Sequence, residues 1–110
     1  MHYMRLGLVT DIHEDADQLR LALSCFAEES VDQVVVIGDV CEMGARLEET
    51  CRLLKEAKAI GVWGNHDYGL CVNPDDEAQS RFGGAVIDFM TSLRPRLDVA
   101  GCHFRTSNRG

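Results

Sequence analysis

Ala59-Ile60-Gly61-Val62-Trp63-Gly64-Asn65-His66-Asp67 is the stretch on which the reading of this chain turns. An apolar run with a β-branched centre stops at a glycine, and three polar, metal-capable side chains follow at once. Val62 and Trp63 suit a buried strand. Gly64 permits a sharp turn at its end. Asn65, His66 and Asp67 are then expected at the carboxyl edge of a sheet, where open α/β folds place their ligands.

Two upstream stretches have the same form. Arg5-Leu6-Gly7-Leu8-Val9-Thr10 reads as a buried strand and runs into Asp11-Ile12-His13-Glu14-Asp15. Val31 to Ile37 is the strongest strand signal in the chain and ends at Gly38-Asp39. Between these strands lie two amphipathic segments. The first, from about Asp15 to Glu29, repeats Ala16, Leu19, Leu23, Phe26 and Ala27 at helical spacing, with Asp15 or Asp17 available as cap. The second, from about Ala45 to Lys58, turns Leu47, Cys51, Leu54 and Ala57 inward and pairs Glu48 with Arg52 outside. Strand–helix–strand–helix–strand is the rhythm of a parallel sheet with right-handed crossovers, so the fold class is α/β.

Beyond Asp67 the pattern loosens. Tyr68 to Pro74 reads as a loop, and Asp75-Asp76-Glu77 as a helix N-terminus. Gly83-Gly84 interrupts that segment, and a further helix over Val86 to Leu93 stops before Pro95. Leu97 to Phe104 predicts a hairpin turning near Ala100-Gly101, followed by a polar tail. No internal repeat is visible, and residues 1–110 are expected to form one domain.

Composition narrows the class. The 110 residues are 45% hydrophobic and 26% charged, as expected of a soluble globular chain. No apolar run is long enough to span a bilayer, and the N-terminus lacks a signal peptide's basic and apolar regions, so the expected compartment is cytoplasmic. The net charge of −7 argues against bulk nucleic-acid binding, although Arg94, Arg96, Arg105 and Arg109 outnumber Asp98 near the C-terminus. Five cysteines, an odd number with no C-x-x-C pair, read as reduced thiols. Cys25 and Cys51 fall on the apolar helix faces, and Cys41 reads as packing.

Three successive parallel strands deliver their last residues to one edge. That edge collects Asp11 and His13, then Asp39, then Asn65, His66 and Asp67. Asp11 and His13 are two apart, so an extended segment points both the same way. Carboxylates with an imidazole suit Mn, Fe, Zn or similar divalent ions rather than Ca. A carboxylate at the central strand's end, Asp39, is placed to bridge two ions, and Asn65 adds a neutral oxygen. Two such ions can hold a phosphoryl group for in-line displacement. His66 is placed as an acid for the leaving oxygen, and Asp67 either orients that imidazole or caps the next turn. Each piece alone is ordinary loop chemistry. Their combination, each at a strand's carboxyl end, is specific.

Thr10-Asp11-Ile12-His13, Gly38-Asp39 and Gly64-Asn65-His66-Asp67 resemble the first three signature motifs of calcineurin-like metallophosphoesterases. The resemblance covers residues 4 to about 104. It implies the N-terminal part of an α/β sandwich and hydrolysis of phosphomonoesters or phosphodiesters at a dinuclear centre. It implies that Asp11 and His13 bind the first metal, Asp39 bridges, Asn65 binds the second, and His66 is the catalytic histidine. Two divalent ions from among Mn, Fe, Zn, Co or Mg are the implied cofactors. The implied substrate is a small phosphate ester or a phosphoprotein.

The chain departs from the family pattern at two points. Glu14 stands where glycine usually follows the first histidine, a change expected to alter only the loop. The later strand-histidine and the G-H-x-H motif have no match, since His103 lies within a predicted strand. The expectation is therefore an incomplete domain, with the sandwich's second sheet mostly missing and one set of strand side chains poorly covered. The competing class is a non-catalytic scaffold on the same fold. A nucleotide-binding Rossmann domain is set aside for want of G-x-G-x-x-G after the first strand.

Overall fold

Gln33 to Ile37, with three consecutive valines, is the centre of a three-stranded parallel sheet. The computed structural model describes residues 4–42, 44–64 and 67–105. In it β1 (Leu6–Thr10), β2 (Gln33–Ile37) and β3 (Ile60–Val62) lie in the order β1-β2-β3. Leu6 to Thr10 pairs residue by residue with Gln33 to Ile37, and Val35, Val36 and Ile37 pair with Ile60, Gly61 and Val62. All three strands therefore end level, at Thr10, Ile37 and Val62. The Thr10 hydroxyl donates to the Ile37 carbonyl at 2.8 Å and pins two of those ends together.

The crossovers are α1 (Ala16–Glu28) and α2 (Leu47–Glu56). Right-handed crossovers in this strand order put both helices on one face of the sheet. Val34 and Val36 accordingly join the core with Leu19, Leu47, Leu54, Val86, Phe89 and Met90. Close approach matters at two glycines. A β-carbon on Gly7 would lie 2.8 Å from the Phe26 ring of α1, and one on Gly61 would lie 2.3 Å from the Val36 carbonyl oxygen. Small residues here let α1 and β3 come against the sheet.

After β3 the chain forms α3 (Tyr68–Cys71), α4 (Asp76–Arg81) and α5 (Gly84–Ser92). It then returns beside β3, where Arg94 N donates to Gly61 O at 3.0 Å and Trp63 N donates to Arg94 O at 3.3 Å. A separate hairpin follows, β4 (Arg96–Val99) paired antiparallel with β5 (Cys102–Arg105). Ala100 (φ 50°) and Gly101 (φ 81°) make its turn in the left-handed region, as the sequence predicted. Asp15 caps α1 by accepting from Gln18 N at 3.1 Å, and Asp75 caps α4 through Ala78 N at 2.8 Å.

The expected poor cover of one strand set does not extend across the sheet: Val34, Val36 and Val62 are all buried, and cover is thin at the first strand. Leu8, on the face away from α1 and α2, is 50% exposed, while Val35 beside it is buried. Three local expectations are corrected. Tyr68 to Cys71 is a helical turn rather than loop, because Leu70 and Cys71 gain burial against the core. Cys25 and Ala27 are exposed rather than inward, since the buried stripe of α1 runs through Ala16 and Leu19 and continues in the half-buried Leu23 and Phe26. Trp63 lies just beyond β3, half-buried and edge-on to Tyr68 at 6.0 Å between ring centroids. Among the described residues no helix is long and apolar enough to cross a membrane.

The two faces of these helices make a measurable contrast. Leu54→Ala, at a fully buried position of α2, is expected to cost about 2–5 kcal/mol in urea unfolding. Leu21→Ala, 61% exposed on α1, should stay within about 0.5 kcal/mol of the parent. Equal losses at the two sites would contradict this assignment of faces.

Candidate metal centre

The level strand ends bring Asp11, His13 and Asp39 together. One ligand atom from each lies within 4.8 Å of the others, a spacing that a single divalent ion can span. His13 Nε2 is 3.8 Å from Asp11 Oδ1. This juxtaposition does not arise from an extended Asp-x-His segment, as the sequence suggested. Asp11 (φ 52°), His13 (φ 45°), Glu14 (φ 60°) and Asp39 (φ 54°) all occupy the left-handed region, so both loops curl tightly over the sheet edge. Such conformations cost roughly 1–3 kcal/mol each for non-glycine residues and persist only where surrounding bonds hold them. Here His13 N donates to Asp39 O at 2.8 Å and Glu14 N donates to Val40 O at 2.9 Å, lacing the two loops together.

Two glycines of the sequence motifs make room for this. Gly38, at φ 73°, has Gly64 Cα only 3.1 Å from where its own β-carbon would be. A β-carbon on Gly64 would sit 2.5 Å from both Asp39 N and Asp39 Oδ1. Glycine at 64 thus leaves the space that the Asp39 carboxylate occupies.

Asp67 neither caps the following turn by its side chain nor lies out at the edge. It is fully buried. Its Oδ1 accepts from Val40 N at 3.0 Å and from Cys41 N at 2.8 Å, and its Oδ2 accepts from Gly64 N at 2.8 Å. Asp67 N in turn donates to Gly64 O at 3.0 Å. An aspartate followed three residues after a strand-end glycine thus ties the ends of β2 and β3. Asn65 and His66, the expected second-metal ligand and acid, lie outside the described residues.

Glu14 does more than alter its own loop. Its carboxylate is buried and accepts from Glu42 N and Gly44 N, both at 2.6 Å, and from Arg46 N at 2.8 Å. A glycine there would leave those three amides without these partners, so this departure from the family pattern has a structural role. Glu42 was not a candidate from sequence, because nothing in the local pattern separates it from the other acids of its loop. In the structure its Oε2 lies 2.8 Å from His13 Nδ1. His103, by contrast, pairs with Asp98 across the hairpin and stays apart from the Asp11–His13–Asp39 group.

The donor set fits a divalent ion. It offers two carboxylates and an imidazole, and among the described residues no lysine or arginine forms an ion pair with Asp11, Asp39 or Glu42. Carboxylates with an imidazole at this spacing suit a divalent cation. Behind the loops lie three buried thiols. Burial, then the nearby Glu14 and Asp67 carboxylates, push Cys41 up to about 12. Burial chiefly pushes Cys51 up to about 12 as well, and Cys71 also rises. These cysteines pack as hydrophobes rather than react.

Two measurements follow from this geometry. Asp67→Asn puts an amide N–H against backbone N–H groups, so a loss of about 1–3 kcal/mol or more in stability is expected. Unfolding midpoints at neutral pH would show it, and a neutral outcome would remove Asp67 as the tie between loops. In the native protein a thiol reagent should label the exposed Cys25 and Cys102 quickly and the other three only on unfolding. Fast labelling of all five would contradict the burial described.

The sequence profile of the calcineurin-like phosphoesterase superfamily domain matches residues 4–103. A metallophosphoesterase of known structure from Sphaerobacter thermophilus superposes with a TM-score of 0.60 at 22% identity, over 89% of this chain and 44% of its own. The uncharacterized protein MJ0912 of Methanocaldococcus jannaschii is 24% identical over 82 residues, 74% of this chain and 34% of its own length. The chain thus spans less than half the length of these relatives. A profile match across nearly all of its residues, on a parallel sheet whose strand ends gather Asp11, His13 and Asp39, makes this chain a member of the calcineurin-like phosphoesterase superfamily.

Proposed function

We propose that this chain carries the first half of a metal-dependent phosphoesterase site that hydrolyses phosphomonoesters or phosphodiesters. The observation that carries the reading is the convergence of Asp11, His13 and Asp39 within 4.8 Å at the carboxyl ends of adjacent strands. Asp11 and His13 would hold one divalent ion, and Asp39 and Asn65 would supply ligands to a second. Bound divalent ions supply Lewis acidity toward a phosphoryl group. His66 would give its proton to the leaving ester oxygen as general acid. A cleft of about 310 Å³ beside Glu42, walled by Gly44, Leu70, Asp75, Arg81 and Phe82, gives room for the organic part of an ester. The substrate is a small phosphate ester or a phosphoprotein, and the setting is cytoplasmic.

A non-catalytic scaffold is the second reading. It is favoured by the small number of imidazoles, four in the whole sequence, one of which pairs with Asp98 in the hairpin. Assay with Mn, Co, Zn, Fe and Mg against nitrophenyl phosphate monoesters and diesters separates the two. Hydrolysis that a chelator abolishes and that Asp39→Asn reduces more than any other single ligand change supports the enzyme. Absence of metal binding, with no effect of Asp39→Asn, supports the scaffold.

The role of His66 has its own test. General acid catalysis contributes typically about 10²–10⁴-fold. His66→Ala should lose that factor on alkyl esters with poor leaving groups and much less on nitrophenyl esters, with metal content unchanged. Equal losses on both substrates would assign His66 to metal binding or structure.

A further inference from the structure

We infer that Glu42 is a positioning residue for His13, holding the imidazole with Nδ1 toward its own carboxylate and Nε2 toward Asp11. The inference deepens the metal-centre reading and rests on it for its purpose, though not for its geometry. A neutral imidazole carries one N–H and one lone pair, and the partner of one nitrogen decides which is which. A carboxylate only accepts. With Glu42 Oε2 at 2.8 Å from Nδ1, the proton belongs on Nδ1 and the lone pair is left on Nε2. That is the nitrogen 3.8 Å from Asp11 Oδ1, one of the carboxylates grouped with His13 and Asp39.

Glu42 is itself held. Its backbone N–H donates to Glu14 Oε2 at 2.6 Å, and the same oxygen accepts from Gly44 N. Glu14 directly follows His13, whose own N–H donates to Asp39 O. The arrangement forms a closed circuit: the residue after the ligand organises the loop that supplies the ligand's outer partner. Glu42 sits outside the apolar core with its side chain half exposed. Packing therefore does not account for its orientation. Metal-binding histidines generally depend on such an acceptor, and its loss typically costs about 10–100-fold in metal affinity.

The test compares the parent chain with Glu42→Ala and Glu42→Gln. In the metal-free protein at mildly alkaline pH, nitrogen-15 NMR reads the His13 tautomer, with His13→Gln identifying its signals. The parent should show the Nδ1–H form, Glu42→Ala a mixture with Nε2–H, and Glu42→Gln the parent form, because its amide oxygen still accepts. Mn(II) affinity by calorimetry should fall about 10–100-fold in Glu42→Ala and recover largely in Glu42→Gln. Unfolding midpoints of both variants should match the parent. An unchanged tautomer in Glu42→Ala, or equal loss of Mn(II) binding in the two variants, would overturn the inference, the second result making Glu42 a charge or ligand instead. Absence of Mn(II) binding in the parent with the tautomer pattern intact would reject the metal-centre reading and leave the positioning role standing.

Discussion

The loops that carry the candidate site depend on one buried carboxylate. Asp67 has no contact with solvent, and its two oxygens take the backbone amides of Val40, Cys41 and Gly64. Burying a charge is costly unless every lone pair is used, and hydrogen bonds to a charged acceptor are among the stronger ones available. Here the acceptors meet amides that have left the β-ladder at the ends of two strands and would otherwise lack partners. The aspartate thus replaces the missing strand hydrogen bonds and holds β2 and β3 at one level. That level is what places Asp39 beside Asp11 and His13.

Glu14 repeats the device one loop further along. Its carboxylate satisfies the amides of Glu42, Gly44 and Arg46 and so shapes the approach to α2. Between them the two acids serve most of the loop from Val40 to Arg46, and the left-handed residues around the ligands are kept in place by these bonds. Rigid loops on a parallel sheet suit a metal centre, because ligand geometry must be set before the ion arrives. Beside this loop, on the outside of the helices, Arg46 and Arg20 share Glu49 at 3.0 and 2.7 Å, joining α1 to α2. These groups are solvent-exposed, and such pairs contribute little to stability. The buried carboxylates are the stronger constraint.

The chain spans less than half of the relatives it resembles, yet the described part of its core is coherent. α5 and the return of Arg94 beside β3 close one edge of the sheet, and α1, α2 and α5 cover one face. Leu8 marks where cover on the other face is thin. The site motifs lie at the sheet's carboxyl edge, so their geometry does not require that second face to be covered.

The sequence by itself determined the order of elements and the family. Runs such as Val34-Val35-Val36-Ile37 and the 3.6-residue spacing of Leu47, Cys51 and Leu54 carry their secondary structure locally, since periodicity states which side must be buried. Aspartates and histidines at strand ends marked the edge where Asp11, His13 and Asp39 gather. What only the tertiary structure decided was the work of each acid. Asp67 looked like a cap among its possible roles and proved instead to be a tie between loops. Glu14 looked like a loop variation and proved to be an anchor. Glu42 carried no signal at all, yet it faces His13. Linear order cannot distinguish these roles, because an aspartate's function depends on which amides and side chains lie within about 3 Å of its oxygens. Apart from Gly64 beside Asp67, those neighbours come from residues some 26 to 32 positions away, and only the packing of parallel strands brings them there.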